Sequence, residues 1–77
     1  MNQISVLPFG QIAEITGVEP FQLIATDTDE IQRVLAERFP DLQRKHYALA
    51  VDKVIVKTNT QVNSNSIIAL LPPFSGG

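Results

Sequence analysis

The sequence predicts an α+β fold in which one mixed sheet packs on one main helix. Three observations lead there. The chain has 77 residues, enough for one domain. Short β-rich runs flank a single strongly periodic helical segment. No cysteine is present to staple a smaller or looser fold, so the packed core must hold the structure alone.

The elements follow in order. Residues 3–9, ending "VLPF", form an apolar extended run, and Pro8 argues for a strand that stops or sits at an edge there. Residues 10–17 are bracketed by Gly10 and Gly17 with Ile12 and Ile15 at helical spacing, a short helical turn closed by a glycine cap. Residues 20–26 open a second strand on Pro20, where a missing donor does least damage. Residues 27–40 give the clearest helix. Asp27 and Glu30 make an acidic capping pair, Ile31, Val34, Leu35 and Arg38 share one face, and Pro40 ends it.

Two further β-rich runs, "HYALAV" and "VIVKT", are separated by Asp52 and Lys53, a hairpin spacing without the favoured Asn-Gly pair. "QVNSNS" reads as a polar connector, and "IIALL" as a last strand delivering the chain to Pro72. The order is β, β, α, β, β, β. The first and last strands are expected parallel and central, as in a β-grasp roll.

Strand alternation assigns the faces. Ile4, Val6, Val54, Val56, Ile68 and Leu70 are expected toward the helix. Ser5, Leu7, Phe9, Ile55, Ile67, Ala69 and Leu71 then face away. Phe9, Ile55 and Leu71 are large apolar side chains on a face that ought to be polar. They are either core beneath the long connector or a docking patch for another protein.

Composition excludes several functions. Lys+Arg 6 against Asp+Glu 8 gives a net charge of −2, without the basic stripe that nucleic acid or a membrane surface needs. No apolar run approaches the length of a membrane span, no export signal opens the chain, and a cytoplasmic location is expected. One histidine and no cysteine leave no metal site. His46 reads as a solvated residue, and Asp27, Asp29 and Glu30 as helix-start acids favoured by the macrodipole. No nucleophile elbow, catalytic cysteine or phosphate loop is present.

The remaining chemistry lies in the tail, "PPFSGG". Residues 1–71 are expected to form the folded domain and residues 72–77 a flexible extended tail with a reach of about 20 Å. Pro72 and Pro73 stiffen its base. Gly76 and Gly77 carry no side chain, so they can thread a narrow tunnel and leave the last carboxylate unobstructed. A carboxylate is a poor electrophile until another enzyme activates it.

"ALLPPFSGG", with "VLPFGQIAEITG" and "LAERFP", resembles the MoaD family, the small subunits of molybdopterin synthase. The resemblance covers essentially the whole chain and implies a ubiquitin-like β-grasp fold. It further implies a terminal glycine, here Gly77, that an adenylating MoeB-like enzyme activates with ATP and that becomes a thiocarboxylate. Gly76 would be the slender residue before it. The tail, including Pro72, Pro73, Phe74 and Ser75, would insert into a MoaE-like large subunit, two small and two large subunits forming a heterotetramer. Phe9, Ile55 and Leu71 would be buried against that subunit. No cofactor would be bound by the chain itself. Family members often carry arginine where Ala13 stands and asparagine where Asp52 stands. Two alternatives stand beside this reading: a sulfur carrier of another pathway, similar to ThiS, and a non-reactive ubiquitin-like interaction module.

Overall fold

A computed structural model describes residues 2–72. The expectations for Pro73, Phe74, Ser75, Gly76 and Gly77 therefore lie outside the described residues. The elements are β1 (Asn2–Pro8), α1 (Gly10–Thr16), β2 (Phe21–Ala25), α2 (Thr28–Arg38), a 3₁₀ turn (Pro40–Arg44), β3 (Ala48–Val51), β4 (Val54–Val56) and β5 (Ile67–Leu71). The five strands form one mixed sheet in the order β2-β1-β5-β3-β4. β1 and β5 run parallel at its centre, with Val6 opposite Ile68 and Leu7 opposite Ala69. The remaining neighbours pair antiparallel. The expected central parallel pair is thus present.

The helix-side face of the sheet is the core. Ile4 and Val6 of β1, Leu23 and Ala25 of β2, Leu49 of β3 and Ile68 and Leu70 of β5 pack there against Ile12 of α1, Ile31 and Leu35 of α2, and Leu42. A chain this short buries a limited fraction of its surface, so these few side chains supply most of the driving force. Arg38, at the solvent end of the α2 stripe, stays exposed. Its guanidinium lies 5.4 Å from the ring centroid of Phe21 and 5.9 Å from that of Phe39.

Three expectations need correction. Val54 was assigned to the core by alternation, but it is 64% exposed. It shares the helix-side parity of Val56 yet sits at the hairpin corner of a three-residue edge strand, beyond the cover the helices give. The connector 61–66 is more than polar cover, since Val62 is buried in the core and Ser66 is buried with its hydroxyl accepting from the Asn63 N–H at 2.8 Å. Pro40 does end α2, but the chain continues at once into the 3₁₀ turn, with Pro40 at its start and Leu42 plugged into the core.

The start of α2 is fixed by side chains from two segments. Asp27 caps it, its Oδ1 accepting from the Glu30 N–H at 2.9 Å. Glu30 reaches back to accept from the Thr26 N–H at 2.6 Å, one residue earlier than in a standard capping box. Asn59 comes from the β4–β5 connection: its Oδ1 accepts from the Asp29 N–H at 2.9 Å and its Nδ2 donates to Asp27 Oδ2 at 3.3 Å. Buried Thr28 joins in, its Oγ1 accepting from the Thr60 N–H at 2.9 Å. These bonds tie the long connection to the helix and so hold β5, the last strand, in register.

Candidate functional site

The described residues nearest the expected tail are at the exit of β5. Leu71, half-buried, pairs with Ala48 of β3, and Pro72 follows it against Gly10 at the start of α1. Gly10 has φ +55, and a Cβ built there would lie 3.0 Å from Pro72 Cγ, so a bare backbone lets Pro72 pack closely. The Phe9 N–H donates to the Leu70 carbonyl at 3.0 Å and extends the β1–β5 ladder by one bond to the point where the chain leaves the sheet.

The face away from the helices is apolar along its middle. The register aligns Ile55 of β4 with Ala50 of β3, Ala50 with Ala69 of β5, and Ala69 with Leu7 of β1. The two alanines make a low floor between larger neighbours. A cavity of about 380 Å³ opens over part of it, lined by Leu7, Phe9, Asp52, Lys53, Ile67 and Ala69. Toward β2 the same face becomes mixed, with Ser5, Gln3 and Gln22 beside exposed Ile24.

Sequence alternation placed Phe9, Ile55 and Leu71 on this side, and none of them belongs to the buried core. Phe9 is 46% exposed and lies just past β1 as the cap of α1, not within the strand as expected. Ile55 is also 46% exposed and flanks the floor from β4. Leu71 sits at the tail end of the face. Only Phe9 of the three lines the cavity. Ile67, 48% exposed, lines it as well. Its outward parity was legible, and its place in the patch follows from the parallel pairing of β5 with β1.

The Asp52–Lys53 hairpin closes the other end of the cavity, and sequence reasoning gave it no role. Both residues have positive φ, 48° and 75°, as a two-residue hairpin of the type I′ family requires. Asp52 is fastened to β5 twice: its N–H donates to the Ile67 carbonyl at 2.9 Å, and its Oδ1 accepts from the Ile67 N–H at 2.9 Å. A carboxylate thus does the work of the more usual asparagine in a left-handed position.

The other concave places offer less. A cleft between α2 and the 3₁₀ turn is lined by Gln32, Ala36, Leu42, Gln43, Lys45, His46 and Tyr47, and burial pushes the Tyr47 hydroxyl above its ordinary pKa of 10.0. Among the described residues no three of His, Cys, Asp and Glu cluster as metal ligands would. The described geometry is an exposed apolar face beside the end of the last strand.

Comparison with known proteins agrees with that architecture. The small archaeal modifier protein 1 from Methanosarcina acetivorans superposes with a TM-score of 0.84 at 18% identity, covering 100% of this chain and 98% of that one. The small archaeal modifier protein 1 from Haloferax volcanii gives 0.81 at 18% identity over 99% and 100%. Subunit 1 or 2 chains of the molybdopterin-converting factor complex from Helicobacter pylori include a match at 28% identity and TM-score 0.75, over 97% of this chain and 99% of that chain. The fold is therefore the ubiquitin-like β-grasp. Residues 6–77 match the ThiS family, and this chain belongs to that ThiS/MoaD family.

Proposed function

We propose that the chain is the sulfur-carrying small subunit of a molybdopterin synthase. In this reading the Gly77 carboxylate attacks the α-phosphate of ATP in the active site of an adenylating enzyme and releases pyrophosphate. A sulfur nucleophile then displaces AMP, leaving a thiocarboxylate at Gly77. The tail carries that sulfur into a large subunit, where it is donated to a precursor pterin. Gly76 lets the end pass through a narrow channel, and Pro72, Pro73, Phe74 and Ser75 contact the large subunit as the tail inserts. The consumption of ATP fits a cytoplasmic setting.

The observation that carries the reading is the coincidence of two features in the middle of the sheet: an exposed apolar face, and the last strand leading to the C-terminal residues beside it. An exposed apolar face on so small a domain supports reading it as an interaction surface. The likeness to a chain from a complex of two converting-factor subunits supports a large subunit as the partner. A heterotetramer of two small and two large subunits is part of the proposal.

The test is reconstitution with the large subunit of the same organism. Wild type forms a stable complex and, once loaded with sulfur, converts the precursor. A chain lacking Gly77 still binds but converts nothing. If the loaded chain transfers sulfur but does not bind the large subunit, it is a carrier of another pathway; if it never accepts sulfur, the interaction-module reading replaces this one.

A further inference from the structure

Lys53 stands where its side chain is a steric cost. The second central residue of a type I′ hairpin takes positive φ, and glycine is the residue that adopts it freely. Here φ is 75° at a lysine. Such an outlier persists when surrounding structure holds it, and Asp52 does so through its two bonds to Ile67. The lysine is thereby presented over the apolar cavity, beside Leu7, Phe9, Ile67 and Ala69.

Lys53 is the one cation among the residues lining that cavity, and among the described residues it has no ion pair. Its aliphatic stem can lie on apolar surface while the ammonium stays at the rim. The whole chain has a net charge of −2, so overall attraction would not draw an acidic partner to this face. A single local cation at the edge of an apolar patch supplies register and selectivity instead.

We propose that Lys53 is a specificity-determining contact: its ammonium pairs with a carboxylate on an otherwise apolar surface of the large subunit docked over the cavity. The inference rests on the docking reading above. The competing account makes Lys53 a solubilising charge that keeps an exposed hairpin from associating with other sheet edges.

Binding of the purified large subunit from the same organism to wild type, Lys53→Gly, Lys53→Glu and Phe9→Asp, at low and high salt, separates these accounts. Lys53→Gly is expected to melt at a higher temperature, because the left-handed strain is relieved, and yet to bind about fivefold more weakly with a flatter salt dependence. Lys53→Glu is expected to lose more than tenfold at low salt and to recover part of it as salt screens the repulsion. Both lysine variants binding as wild type, while Phe9→Asp abolishes binding, overturns the lysine inference alone. Failure of wild type to bind overturns the docking reading and this inference together.

Discussion

Thr28 shows how much one buried hydroxyl can hold. It accepts from the Thr60 N–H and lies 3.3 Å from Asn59 Oδ1, and with its own backbone N–H bonded to the Thr60 carbonyl it fastens α2 to a connection more than thirty residues away. Thr28→Val keeps the volume and removes the acceptor, so the Thr60 N–H loses its partner; equilibrium urea unfolding should show a loss of about 1–3 kcal/mol. Phe9→Asp and Ile55→Asp, by contrast, change half-exposed positions outside the core. Their melting temperatures should stay near wild type while large-subunit binding falls at least tenfold; collapse of the fold would mark those residues as structural. Tyr47 supplies a pH dependence. Burial raises its folded pKa above the ordinary 10.0, so the folded chain holds that proton more tightly than the unfolded one. Its contribution to stability is complete below pH 10 and declines as pH rises through the folded value, and an alkaline denaturation series on wild type and Tyr47→Phe should show the variant losing less.

The elements divide by how local their causes are. The cap of α2 was legible because Asp27 and Glu30 act over three residues, and Asp27→Ala should cost about 1 kcal/mol, measured by thermal or urea unfolding. The parity of Ile67, Ile68, Ala69 and Leu70 was legible because alternation in a strand depends on nothing distant. What could not be read is what the rest of the molecule covers. Val54 obeys the alternation but lies where no helix reaches, and Val62 looks like part of a polar loop until its N–H bond to the Thr26 carbonyl draws it inward. The 3₁₀ turn escaped notice because Pro40 reads as a stop, and only tertiary packing gives Leu42 a place in the core. The hairpin was placed by spacing, while its left-handed Asp52 and Lys53 are fixed by the bond to Ile67, a residue fifteen positions later.

At the scale of the whole molecule, the parallel pairing of the first and last strands is the decisive feature. β5 lies at the centre of the sheet, held on both sides, and its exit at Pro72 is secured by the Phe9–Leu70 bond and by packing on Gly10. Truncating the core beneath that exit, as in Ile68→Ala, should cost about 2–5 kcal/mol in urea unfolding. On the reading proposed above, the central strand and the apolar face serve a carrier that lends geometry while its partners supply the chemistry. The most direct test of that claim is the intact mass of the chain after incubation with ATP, its adenylating enzyme and a sulfur donor. The account predicts replacement of one oxygen by sulfur, mapped to Gly77 and absent when Gly77 is deleted; an unchanged mass under conditions that load an established carrier would contradict it.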